Sequence, residues 1–168
     1  PSTPAAGPSA SPSGSPSPSA SPSPSYPAGV DPCLLGTWRT TTATNYGLID
    51  GDRVQYTGGA GVISVYKADN TVTYDYDHSA PYVADYGGHR WEGTHRGQAV
   101  FRYSAVDGEM LQSKISSTAR NTLTRDGKYN AGGATTYNLE PGRYRCTETT
   151  LVETSTLGNY SAESVRVG

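Results

Sequence analysis

The sequence predicts an all-β domain, an antiparallel meander closed into an up-and-down β-barrel and preceded by a disordered Pro/Ser stalk. Three observations carry this expectation. After Tyr26, Thr, Val, Tyr and Gly dominate while Leu, Glu, Lys and Met are scarce, a balance that favours strands and turns over helices. No window of about 11 residues repeats its apolar positions every ~3.6 residues, and short runs alternate instead. Val72, Tyr74 and Tyr76 share one face of such a run, with Thr71, Thr73, Asp75 and Asp77 on the other; residues 110–117 and 151–155 are similar. Turn chemistry separates the runs: Asp50-Gly51, Asp107-Gly108 and Asp126-Gly127 are strong hairpin signals.

Eight to ten strands are expected from the runs 35–44, 53–57, 61–67, 71–77, 90–95, 98–106, 109–118, 121–125, 142–147, 150–155 and 160–167. Asp69-Asn70, Gly58-Gly59, Gly87-Gly88, Gly132-Gly133 and Gly158-Asn159 punctuate the remainder. A long meander of this kind avoids exposed edges by closing on itself. An immunoglobulin-like sandwich would place a Trp about a dozen residues after its first Cys. Here Trp38 follows Cys33 by five residues, and Cys146 lies 113 residues on, so the sandwich is set aside.

Two unlike parts make up the chain, a linker over 1–28 and a domain over 29–168. Of the first 25 residues 18 are Ser or Pro, and none is charged or a large apolar residue. Such a segment cannot bury enough apolar surface to offset its ordering entropy. At ~3.1 Å per residue it would reach about 80 Å when extended, which suits a spacer. The domain is long enough to bury about two thirds of its unfolded surface. With 13 basic against 15 acidic residues and no Lys/Arg run, no nucleic-acid partner is expected. No apolar stretch approaches ~18 residues, so no membrane span is expected within the chain. The first residue is Pro, which leaves room for a signal or anchor segment upstream. Arg outnumbers Lys ten to three, a bias that GC-rich bacterial genomes produce.

Cys33 and Cys146 are an even pair without CxxC or Cys/His ligand spacing. One disulfide is the favoured reading, two separate buried thiols the alternative.

The segment Asp31-Pro32-Cys33-Leu34-Leu35-Gly36-Thr37-Trp38 carries a Gly-x-Trp at the entry to the first strand, and Tyr144-x-Cys146 stands near the end. In this layout the chain resembles the lipocalin-like (calycin-type) extracytoplasmic domains of actinobacterial surface proteins or lipoproteins. The resemblance implies that Gly36 and Trp38 are structural, with Trp38 plugging the closed end of the barrel and Arg166 of the final run covering it.

No catalytic constellation emerges. His89 and His95 would lie ~20 Å apart on one face of an extended run at ~3.3 Å per residue, too far to share a metal. Asp75, Asp77 and His78 read best as solvent-facing residues before a loop. No Gly-x-Ser-x-Gly elbow or phosphate-cradling loop is present, and paired acids acting at a distance stay open as an alternative. The chain is therefore expected not to be an enzyme, and to need no cofactor or metal.

Thirteen Tyr against one Phe and two Trp give the domain an unusual, half-polar aromatic set. Tyr74, Tyr76, Trp91, Phe101 and Tyr103 lie on strands and are the candidate ligand-binding lining; ordinary packing is the competing explanation. The functional expectation is a secreted or cell-surface-attached monomer that binds a small hydrophobic or amphipathic ligand. The alternative is an interaction or sensor module with a filled barrel, binding cell-wall polymer or protein.

Overall fold

The computed structural model describes residues 25–137 and 139–168, and most of the expected linker, residues 1–24, lies outside them. Among the described residues there are thirteen strands. They are β1 (Gly36–Ile49), β2 (Asp52–Gly58), β3 (Ile63–Tyr66), β4 (Thr71–Asp75), β5 (Tyr82–Tyr86), β6 (His89–Arg96) and β7 (Gln98–Val106). Then follow β8 (Glu109–Ser117), β9 (Arg120–Arg125), β10 (Lys128–Ala134), β11 (Gly142–Cys146), β12 (Thr150–Ser155) and β13 (Tyr160–Val167). Eight of these close on themselves in the order β1-β13-β12-β11-β8-β7-β4-β3, with β3 pairing back onto β1. All the pairings are antiparallel. Around the ring the strands follow chain order, so the meander and its closure are as the sequence predicts.

The excursions between barrel strands were not expected as a unit. β2, the β5–β6 hairpin and the β9–β10 hairpin leave the barrel and pair side by side. With the second half of β1 they form an open side sheet in the order β1-β2-β5-β6-β9-β10. A single long strand serves both sheets. Its residues Gly36 to Arg39 pair with β3, and Ala43 to Ile49 pair with β2. A register shift between Thr40 and Thr42 marks the junction, and such a bulge re-aims a strand. The return from β2 to β3 runs through Gly58-Gly59-Ala60-Gly61. A Cβ on Gly58 or Gly61 would collide with the Pro81 or His78 carbonyl oxygen, so the close backbone approach there requires glycine.

Local chemistry sets the hairpins. Asp50, Asp107 and Asp126 have φ of 53°, 52° and 50°, and Gly51, Gly108 and Gly127 are positive too, the type I′ pattern of two-residue hairpins. Strands β5 and β10 fall outside the alternating runs. β5 is only five residues long, and β10 is a Gly-containing edge strand with almost every residue exposed, so neither writes a strong apolar period.

Leu34, Trp38, Tyr66, Val72, Phe101, Tyr103, Tyr144 and Leu151 belong to the barrel core. A smaller cluster of Ile49, Val54, Tyr56, Ala84 and Trp91 covers the inner face of the side sheet. One end of the barrel is closed. Trp38 is fully buried and its indole N–H donates to the Leu34 carbonyl at 2.7 Å. Arg166 is its direct cross-strand partner, and the guanidinium lies 4.1 Å from the Trp38 ring centroid. That guanidinium also donates to the carbonyls of Leu35, Cys33 and Glu148 at 2.5, 2.7 and 2.7 Å. Gly36 has φ of 116°, and a Cβ there would meet an Arg166 terminal nitrogen at 2.8 Å. The Gly-x-Trp step thus leaves space for the arginine fork that satisfies the turn over residues 31–35.

Cys33 and Cys146 form a disulfide across 113 residues, tying that turn to β11. Beside it, the Tyr144 hydroxyl donates to Asp31 at 2.7 Å. Closing a loop of this length stabilises the fold by ~5 kcal/mol in the chain-entropy description. Cys146→Ser is therefore expected to lower the denaturant midpoint markedly in oxidising buffer and to change nothing relative to wild type under reduction. Equal midpoints in oxidising buffer would contradict the assigned contribution of the bridge.

Candidate functional site

Side chains that alternate inward from the barrel strands fill the closed end, but they stop short of the other end. Above Trp38, Leu151 and Tyr103 a cavity of about 630 Å³ remains, open at one side. Its floor is set by Tyr74 on β4, Phe101 on β7, Met110 and Gln112 on β8, and Glu153 on β12. Two residues below Glu153 lies Leu151, fully buried in the core, whereas two residues above it Ser155 leads into the exposed turn before Tyr160. Glu153 therefore sits deep, at the level where packing gives way to space.

One wall is not a strand. β8 and β11 pair only at Met110–Gly142 and Glu109–Arg143, so the segment formed by residues 135–137 and 139–141 covers the gap above them. Tyr137 holds it in place, edge-on to Phe101 at 5.0 Å between centroids and with its hydroxyl 2.9 Å from Ser117 Oγ. The carbonyl of Pro141 accepts from the Thr156 hydroxyl at 2.9 Å. The mouth is rimmed by Leu48, Leu139 and Tyr160, all exposed.

The floor is polar in one place. The Tyr66 hydroxyl donates to Glu153 Oε1 at 2.7 Å, and the Tyr74 hydroxyl lies 3.5 Å from the same oxygen and 3.0 Å from that of Tyr66. Gln112 Nε2 donates to the Tyr74 oxygen at 2.7 Å. Glu153 Oε2 has no hydrogen-bond partner among the described residues. Burial pushes the Glu153 carboxyl above the ordinary carboxylate range, and the two tyrosine hydroxyls pull it back only in part. Burial, then the negative Glu153, holds the Tyr66 phenol well above its usual range. Higher in the cavity, burial pushes Tyr82 up to about 12. His95 packs between Tyr76 and Tyr82, 5.9 Å from each ring. Burial, then the neighbouring Arg96 charge, lowers its pKa.

The structure distributes the five lining candidates over three places. Tyr74, Tyr76 and Phe101 border the cavity. Tyr103 lies beneath it, fully buried, edge-on to Tyr66 at 5.2 Å and donating its hydroxyl to the Lys67 carbonyl at 3.0 Å. Trp91 does not reach it, because β6 belongs to the side sheet; its indole packs in the second cluster and donates to the Tyr86 carbonyl at 3.3 Å. His89 also lies on the side sheet, paired with Asp126 at 2.6 Å and touching Arg125. Asp75 and Asp77 bind loop and strand-end groups, accepting from Gln98 and from the Gly97 amide. Glu153 was missed by sequence reasoning. Its signal was a single acid in phase with Leu151 on β12. Tyr137 and Glu140 were missed because they stand on a loop, where alternation carries no information.

No protein-family model matches the chain, and no curated protein matches it.

A raised carboxyl pKa has a sign. Relative to an unfolded Glu near ~4.3, the stabilising contribution is fully present below that pH and is lost as pH rises through the higher folded-state value. Glu153→Gln keeps an acceptor for Tyr66 without the charge. It is expected to raise the melting temperature by a few degrees at pH 8 and to give no gain at pH 4. A variant that melts lower than wild type at pH 8 would contradict this account of Glu153.

Proposed function

We propose that this chain is an extracytoplasmic, lipocalin-like binding domain for a small amphipathic ligand, presented on its Pro/Ser linker. The observation that carries the reading is the open cavity of about 630 Å³. Small-molecule sites occupy about 300–1,000 Å³ and combine apolar walls with a few convergent polar groups, the combination formed here by Phe101, Met110 and the tyrosine rings around Glu153. The Gly36, Trp38 and Arg166 arrangement at the closed end supports the lipocalin-like reading, and the disulfide supports an oxidising compartment. No helix among the described residues is long and apolar enough to cross a membrane. The rival interaction module called for a filled barrel, and the cavity weighs against it.

Binding without catalysis is part of the proposal. His89 and Asp126 are the tightest imidazole–carboxylate pair, but they border a shallow cleft with Arg125, Lys128, Tyr129 and Asn130, where no Ser, Thr or Cys nucleophile stands. Ser64 is buried on the cavity wall, so Ser64→Phe would fill part of the space, with an overpacking cost of ~1–3 kcal/mol. The neutral fluorescent probe N-phenyl-1-naphthylamine is expected to bind wild type saturably, one molecule per chain. Folded Ser64→Phe, checked by its melting transition, should bind at least tenfold more weakly. Undiminished binding to that variant would place the probe elsewhere and remove the cavity from the reading.

A further inference from the structure

We propose that the cavity takes an organic ammonium ion with an apolar tail, its cationic head seated against Glu153 among the tyrosine rings and its tail directed to the mouth. This rests on the binding-domain reading and names the ligand class.

Glu153 is the starting point. It is a carboxyl at the floor of a cavity, with one oxygen engaged by tyrosine hydroxyls and the other without a partner among the described residues. The ion pairs among the described residues, His89–Asp126 and Arg90–Glu92, are both on the side sheet. No Lys or Arg therefore neutralises Glu153. A half-buried carboxylate among aromatic rings, without a counter-charge, is less well solvated than in bulk water, and a cation delivered by a ligand offsets that loss.

The surroundings suit a cation more than any other head group. Tyr74 and Tyr76 stack with an interplanar angle of 18°, and Phe101 meets Tyr74 edge-on at 5.7 Å. Aromatic faces attract a cation by ~0.5–2 kcal/mol, most when it is desolvated. Two further polar atoms that border the cavity, Thr135 Oγ1 and Glu140 Oε2, are buried without partners, and both can accept a hydrogen bond. The positive groups on the lining do not offset this. Burial lowers the His95 pKa, and Arg143, which also borders the cavity, is exposed and forms no ion pair among the described residues. Arg53 is committed to its own neighbours: it stacks over Tyr46 at 3.9 Å and donates to the Gly158 carbonyl and Asn159 Oδ1, both at 3.1 Å.

Polarity also sets an orientation. Glu153 lies at the floor, while Leu48, Leu139 and Tyr160 expose apolar surface at the rim, near the polar lining residues Arg53 and Glu140. A head-first amphipath places its tail along that rim, which accounts for large apolar side chains exposed beside the opening.

The test compares three ligands with one alkyl chain: octylammonium, octanoate and octanol, each competing against N-phenyl-1-naphthylamine. Wild type is expected to bind the ammonium at least tenfold more tightly than either of the others. In Glu153→Gln, shown to be folded by its melting transition, the ammonium-to-alcohol preference should fall to near unity. Equal or tighter binding of octanoate, or a preference that survives in Glu153→Gln, would overturn the ammonium assignment. If the naphthylamine probe saturates wild type but no cation preference is seen, the ammonium assignment falls and the binding reading stands. If no probe binds, both fall.

Discussion

The guanidinium of Arg166 joins three parts of the chain that are far apart in sequence. It covers Trp38 from the opposite strand, donates to two carbonyls of the turn that closes the barrel, Cys33 and Leu35, and donates to the Glu148 carbonyl between β11 and β12. A charged group half-buried against an indole persists only where its donors are used, and here the β1–β13 register places it directly across from the ring. Because this end is sealed by Trp38, Leu34 and the Cys33–Cys146 bridge, the packed core is concentrated on one side of the barrel. The open volume is left on the other. Closure at one end is what makes the opposite end available.

The tyrosines gain their meaning from this asymmetry. Those at or near the sealed end have hydroxyls fixed by protein groups: Tyr103 on the Lys67 carbonyl, Tyr144 on Asp31, Tyr66 on Glu153. Those higher in the barrel, Tyr76 and Tyr82, keep their rings at the cavity surface. A Phe-rich barrel would lack such internal partners for its polar groups, and an all-polar one would lack the core. The side sheet adds a second small core of its own and carries the Tyr82 and His95 walls of the opening.

Much of the fold was legible because its signals are local. Asp-Gly steps fix hairpins through two positive φ values, and alternation such as Val72, Tyr74 and Tyr76 reports which face points inward. The Gly36-x-Trp38 step and Arg166 were legible through resemblance, and the structure supplies the steric reason for the glycine. The side sheet was not legible, because it arises from pairing of hairpins distant in sequence, and β6 alternates as a barrel strand does. That is why Trp91 was placed in the lining and belongs to another cluster. Glu153 was visible in principle as an acid in core phase, yet its neighbours Tyr66, Tyr74 and Gln112 come from other strands, and only closure brings them together.

The central claim is that the open end of this barrel receives a ligand. The most direct measurement is an NMR titration with N-phenyl-1-naphthylamine of protein labelled at tyrosine ring carbons and glutamate carboxyl carbons. Ring-current shifts concentrated at Tyr74, Tyr76, Tyr82 and Glu153, with Tyr103 and Tyr144 unmoved, are the predicted result. Shifts confined to Tyr86 and Tyr129 of the side sheet, or none at all, would contradict it.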